Sequence, residues 1–406
     1  MIAPLANESL KPTGELLNVA AAPPHYGVRA GLSSSVSPTN WIQPRTERGA
    51  HRIPGAQMTR HLLVAAMVAC TAVPAAILGG GHAGGIARAQ AVSPSPPERR
   101  AAIAATVPST AAKAPSDSLK VVLLGTGVGP AVNLQQYGAS ILVEAGGQRF
   151  LFDCGRGATL RLVQAGVPIG SITRVFLTHL HSDHVLQLPD LLLTGWAGGR
   201  RAVPIAVWGP VGTRAMMEHL QEAFAFDIQM RRDIDEHLPA DGIRVVTHEV
   251  GTDSVVFAEG GVTVTAFLVD HGPVQPAFGY RVDYRGRSVV LSGDTRVSEN
   301  LVRHAQGADV LVHEVIDPQT LRDRPDHPSA AIVDAIIAHH TTPQQAGEVF
   351  RRVAPRLAVY SHAPNSERIL AQTRTAYAGP LQGAEDLLTI LIGAQIEVVR
   401  HTPLPH

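Results

Sequence analysis

An α/β fold is predicted for this 406-residue chain by three observations. Short apolar runs of strand length alternate with segments of helical periodicity. Several of those runs end on a histidine or an aspartate. Residues 119–406, which follow a Pro-rich stretch, are close to the upper limit for one hydrophobic core, so they are read as a single domain.

The first strands are expected at 121–124 (VVLL, closed by Gly125), 140–144 (SILVE, before the Gly146-Gly147 turn) and 149–152 (RFLF, ending at Asp153). A helical pattern at 159–164 then leads to an apolar strand at 173–178 and another at 205–208 (IAVW, closed by Gly209-Pro210). A helix at 211–225 precedes the alternating VTVTAFL of 262–268 and the SVVLS of 288–292. Helices at 330–338 and 343–353 flank the last strand, 358–361.

The segment His179-Leu180-His181-Ser182-Asp183-His184 places four candidate metal ligands in six positions after the 173–178 run. Imidazole nitrogen with some carboxylate oxygen suits zinc, and a catalytic site leaves room for water beside its protein ligands. A strand would turn His179 and His181 to one side, because side chains alternate with period two. Asp183 and His184, in the turn beyond, are free to face a second ion. Three more apolar runs end on ligand types, at His271, Asp294 and His362.

The HxHxDH pattern resembles the signature of the metallo-β-lactamase superfamily, and other segments match it in order over about residues 119–406. They are Leu123-Leu124-Gly125-Thr126-Gly127, Phe152-Asp153-Cys154-Gly155, and the segments ending at His271, Asp294 and His362. The resemblance implies an αββα four-layer sandwich, two mixed β-sheets flanked by helices, with the metals at the sheets' shared edge. It implies that His179, His181 and His271 hold one Zn²⁺, that Asp183, His184 and His362 hold the other, and that Asp294 bridges them; Mn²⁺ or Fe would fit the same ligands. A hydroxide shared by the two ions would be the nucleophile, with Asp183 counted among the catalytic residues. Asp153 would orient a ligand histidine through its second ring nitrogen.

The branch it most resembles is that of ribonuclease Z and arylsulfatase-like enzymes. The matching segments are Phe278-Gly279-Tyr280-Arg281, Ser292-Gly293-Asp294-Thr295, Asp309-Val310-Leu311-Val312-His313-Glu314 and His339-His340-Thr341-Thr342-Pro343-Gln344-Gln345-Ala346. By that resemblance His340 is a proton donor or transition-state contact, with His339 the rival assignment, and Glu314 orients it.

Two departures steer the substrate expectation. In ribonuclease Z an inserted arm that grips tRNA lies between the Phe-Gly-Tyr-Arg and Ser-Gly-Asp-Thr segments, and here no room is left for one. Arg156 also stands where ribonuclease Z commonly has an acidic residue. From residue 119 onward there are 24 Lys plus Arg against 29 Asp plus Glu, a net charge of −5 with histidines neutral. Nucleic-acid binding draws much of its affinity from clustered basic residues. The expected function is therefore a secreted binuclear zinc hydrolase of a small ester, such as an aryl sulfate, a phosphodiester or a lactone. The alternative is a ribonuclease Z-type 3′-tRNA-processing endoribonuclease. The expected partner is a small-molecule ester, with nucleic acid disfavoured, no stable membrane anchor, and a homodimer compatible with the sequence. Pocket walls are expected from 187–201 and 224–230, with Trp196 assigned to core packing.

The N-terminal region divides in three. Residues 58–89 read as a secretory signal: a basic start at Met58-Thr59-Arg60-His61, an apolar run, and an Ala87-Arg88-Ala89 cleavage site. A periplasmic or secreted location follows as the expectation. Residues 90–118, rich in Pro, Ala and Ser, read as a linker, and residues 1–57 as a disordered or gene-model extension. Cys154 is then the only cysteine after the signal, and no intrachain disulfide can form.

Overall fold

The computed structural model describes residues 119–324, 326 and 328–400. The signal, linker and extension readings lie outside the described residues.

Strands β1 (Leu119–Gly125), β2 (Ser140–Ala145), β3 (Gln148–Phe152), β4 (Arg174–Phe176), β5 (Ile205–Pro210) and β6 (Val245–Val250) open the first sheet. The chain then builds a second sheet from β7 (Ser254–Glu259), β8 (Val262–His271), β9 (Val274–Tyr284), β10 (Arg287–Leu291), β11 (Val310–His313), β12 (Leu357–Tyr360) and β13 (Leu381–Gln382). β14 (Leu388–Ile392) and β15 (Ile396–Val399) return to the first sheet beside β1. Each sheet is mixed. Its early strands pair antiparallel, and from β3 to β6 and from β10 to β13 the pairing is parallel.

Period-two alternation explains the layers. Val121, Leu123, Phe150, Phe152 and Phe176 meet Val264, Phe278, Tyr280, Val289 and Val312 between the sheets. The alternate residues Val122, Leu124, Leu151 and Val175 face helices Ala158–Gln164 and Leu188–Ala197. On the other side, Val290, Leu311 and Ala358 face helices Glu299–His304 and Pro343–Val353. This is the αββα sandwich. Because parallel strands share a direction, the chain leaves β3, β4, β10, β11 and β12 at one edge, and there the candidate ligands gather.

The strand expected at 173–178 is shorter than predicted: β4 stops at Phe176, so His179 and His181 lie in a loop. That loop is held by Leu177 N donating to Trp208 O (2.8 Å), Phe278 N donating to Thr178 O (2.9 Å) and the Tyr280 hydroxyl donating to Leu177 O (2.8 Å). Asp183 and His184 fall in a one-turn helix, Ser182–Val185. The expected pocket wall at 187–201 is mostly helix Leu188–Ala197, whose Leu188, Leu191, Leu192 and Trp196 are buried in the outer core. Trp196 is a core residue, its indole N–H donating to Pro239 O at 2.9 Å.

Candidate metal centre

His179, His181 and His271 bring their ring nitrogens together: His179 Nε2 lies 2.9 Å and His271 Nε2 3.4 Å from His181 Nδ1. Their other nitrogens are engaged. His179 Nδ1 lies 3.0 Å from Thr178 Oγ1, and His271 Nδ1 is 3.0 Å from His339 O, to which it can donate. That bond places the His271 proton away from the cluster and leaves Nε2 with its lone pair. Burial, then the charge of neighbouring histidines, pushes His179 well below the usual imidazole range, and burial pushes His271 down to about 4. Neutral imidazoles result, the form that binds a cation.

Asp183, His184 and His362 form a second group, with Asp183 Oδ2 3.2 Å from His362 Nε2 and 3.7 Å from His184 Nε2. Asp294 touches both groups. Its Oδ2 lies 3.9 Å from His179 Nε2 and 3.4 Å from His184 Nε2, and its Oδ1 lies 3.5 Å from His362 Nδ1. Burial opposes its ionisation, but His362 and His184 outweigh it and hold the carboxyl well below its usual range. Asp153 anchors the second group from behind: Oδ1 accepts from Thr178 N (2.8 Å), and Oδ2 accepts from Thr178 Oγ1 (2.9 Å) and faces His184 Nδ1 (2.8 Å). Asp153 and His362 both have left-handed backbones (φ 56° and 47°), a cost usually met only where structure over-determines a functional site. Gly293 positions Asp294, since at φ +61° an added Cβ would lie 2.5 Å from Phe278 O.

These groups fit divalent cations. Buried His184 Nε2, Asp294 Oδ1 and His362 Nδ1 have no hydrogen-bond partner, an arrangement that costs about 1–3 kcal/mol per atom unless another ligand is supplied. Two nitrogens on one tetrahedral zinc with bonds of ~2.0–2.1 Å stand roughly 3.3–3.4 Å apart. The His181–His271 separation, 3.4 Å, matches that spacing, and the His179–His181 separation, 2.9 Å, falls short of it.

His340 stands beside both groups. Its Nδ1 lies 3.0 Å from Glu314 Oε1, which also accepts from Thr295 N (3.0 Å) and Thr341 N (3.3 Å). Burial works against its charge, but Glu314 prevails and raises it to about 9. His339 has no carboxylate partner among the described residues; its carbonyl receives the His271 bond, and its ring lies with those of His271 and His340, ligand atoms within 4.8 Å of one another. Every candidate residue expected from the sequence is thus gathered at one edge. Two features were not foreseen: Thr178, which ties Asp153 to His179, and the walls of the cavity above the centre. That cavity, about 700 Å³, is walled by the 128–136 loop, Ile316, Leu321 and Ile336, not by 187–201 or 224–230. The signal for its loop is the uncharged run Val128 to Tyr137.

A family model described as a β-lactamase superfamily domain matches residues 148–363. The chain is 38% identical over 266 residues to a ribonuclease Z of Mycolicibacterium gilvum (strain PYR-GCK), covering 63% of this chain and 91% of that protein. It is 34% identical over 285 residues to a ribonuclease Z of Mycobacterium marinum, covering 68% of this chain and all of that protein. Among solved structures, human tRNase Z, short form, is similar at TM-score 0.51 and 25% identity, covering 67% of this chain and 98% of that one. The metallo-β-lactamase fold protein YhfI from Bacillus subtilis is similar in fold at TM-score 0.52 and 18% identity, covering 68% and 100%. These relatives overturn the expectation that nucleic acid is disfavoured and give no support to an aryl sulfate or other small-ester substrate. Net charge is a weak guide to a partner because it averages over the whole surface.

Proposed function

We propose, from the premise that the chain belongs to the ribonuclease Z branch of the metallo-β-lactamase superfamily, that it is a metal-dependent endoribonuclease cleaving a phosphodiester in precursor tRNA. The observation that carries this reading is the 34–38% identity to ribonucleases Z across 91% or more of their length. In this reading His179, His181 and His271 hold one ion, Asp183, His184 and His362 hold the second, and Asp294 reaches both. Two such ions, zinc by the nitrogen-rich donor set, would offset phosphate charge and lower the pKa of a shared water to about 7.

The protein's own groups do the rest. Asp153 and the His339 carbonyl fix the tautomers of His184 and His271. His340, kept protonated by Glu314, is placed to give its proton to the departing oxygen, and Thr295 N and Thr341 N hold the Glu314 carboxylate for that purpose. β9 and β10 join through the Arg285-Gly286 turn, so the segment that would carry a tRNA-gripping arm is absent and recognition falls to the cavity. Incubating the zinc-loaded protein with a precursor tRNA transcript tests the reading. One cut near the mature 3′ end is expected; an intact transcript beside ready cleavage of a nitrophenyl phosphodiester would refute it.

A further inference from the structure

The loop between β1 and β2 is anchored at both feet and apolar at its tip. Thr126 N and Tyr137 N donate to the two carboxylate oxygens of Asp386 (2.8 Å each), and Gln136 Nε2 donates to Thr126 Oγ1 (2.9 Å) and Ala363 O (3.0 Å). Gly129 N approaches His362 Nε2 at 3.4 Å, which sets the loop directly beside the second ligand group. Its tip then presents Val132, 68% exposed, and Leu134, 86% exposed, to the rim of the cavity. Across from it Ile316 and Leu321 pack with Ile336 and with Val128 at the loop's base, making an apolar wall.

Charge in the cavity is already spoken for. Apart from the histidines of the centre, His340 among them, the only basic chain among the described lining residues is Arg324, whose Nε and Nη2 bind Asp326 at 2.9 and 2.7 Å. Asp317 is bound by Arg368. Among the described lining residues no cation other than His340 is therefore free to face a second phosphate, and positive charge there gathers at the metal centre and His340. A trough with one anion-binding end and apolar walls suits a single diester phosphate carrying a flat, uncharged group, which in a nucleic acid is a base. Volumes of ~300–1,000 Å³ are usual for such ligands, and this one is about 700 Å³.

Resting on the ribonuclease reading, we infer that Leu134, supported by Val132, is a specificity-determining platform. It takes the base of the nucleoside on one side of the scissile phosphate, so flanking RNA is recognised by apolar contact and not by pairing of its phosphates. Burying part of a leucine side chain under a base predicts a roughly three- to tenfold effect on binding.

The test uses the zinc-loaded protein and three diesters: a diadenosine monophosphate, and two truncated forms that each replace one adenosine by methyl. Leu134→Ser should raise KM about three- to tenfold for the diadenosine substrate with kcat unchanged. The same rise should appear with only one of the truncated forms, the one that keeps the platform's base. Because Leu134 is at an exposed tip, melting temperature and metal content should not move, and Leu134→Phe should restore or lower KM. Cleavage of the diadenosine substrate with KM unmoved by Leu134→Ser, or moved equally for both truncated forms, overturns the platform alone. Absence of both binding and cleavage of the diadenosine substrate by the unaltered protein also overturns the platform, whereas an uncut precursor tRNA transcript overturns the ribonuclease reading, and the platform with it.

Discussion

Asp153→Asn changes one atom and should weaken one metal position selectively. The backbone N–H of Thr178 donates to Oδ1 at 2.8 Å, so an asparagine must keep its carbonyl oxygen there. Its NH₂ group then occupies the Oδ2 position, 2.8 Å from His184 Nδ1. An NH₂ cannot accept, so His184 must accept through Nδ1 and carry its proton on Nε2, the atom directed at Asp183 and Asp294. Restoring the ligating tautomer means breaking that hydrogen bond and facing N–H against N–H. Loss of such an orienting partner typically costs 10–100-fold in metal affinity, about 1.4–2.7 kcal/mol. His181 and His271 do not contact Asp153, and His179 meets it only through the Thr178 hydroxyl, whose oxygen can accept from both the new NH₂ and His179 Nδ1–H, so their ion should be largely retained. Competition with a chelator of known affinity, following two metal equivalents separately, should show one weakened by that factor and one nearly unchanged. Equal affinities in variant and parent, or loss confined to the first group, would refute the reasoning.

Three other outcomes are expected. Asp294→Ala should remove both ions and abolish turnover, measured by metal analysis and a diester assay, because it deletes the one carboxylate that reaches both groups; near-parental turnover with two metals bound would contradict this. His340→Ala should keep both metals while the rate falls by roughly 10²–10⁴ for a poor leaving group, with little loss for nitrophenolate, which departs unprotonated; loss of a metal instead would remove His340 from its assigned role. Gly293→Ala should destabilise the fold by about 2–4 kcal/mol in thermal or denaturant unfolding, from the left-handed backbone and the clash with Phe278 O, and an unchanged melting temperature would show that the turn can relax.

Much of the centre was legible because its ligands follow apolar strands, and a strand end is where a short polar motif stands out against Val, Leu and Phe. His271, Asp294 and His362 could be read this way. The His179–His184 segment was legible as chemistry but not as geometry: Trp208 O and Phe278 N draw the chain out of β4 before the histidines, a tertiary effect with no local sequence signal. The choice of His340 over His339, with Glu314 as its partner, rested on resemblance alone, and the structure adds the geometry: Glu314, 26 residues earlier, lies 3.0 Å from His340 Nδ1. β6 and β7 form the sheets' outer edges, and exposed His248, Glu249, Ser254 and Glu259 interrupt their apolar pattern, so they were not expected as strands. The cavity was misplaced for a different reason. Leu188, Leu191, Leu192 and Trp196 mark a helix stripe, but a stripe does not say which layer it enters.

Cleavage of a 3′-extended precursor tRNA by the purified, zinc-loaded chain, with Asp294→Ala as the paired control, tests the central claim most directly. The account predicts one cut near the mature 3′ end, lost on chelation, restored by added zinc and absent from the variant. An uncut transcript at full metal occupancy, or cleavage that survives both chelation and Asp294→Ala, would contradict it.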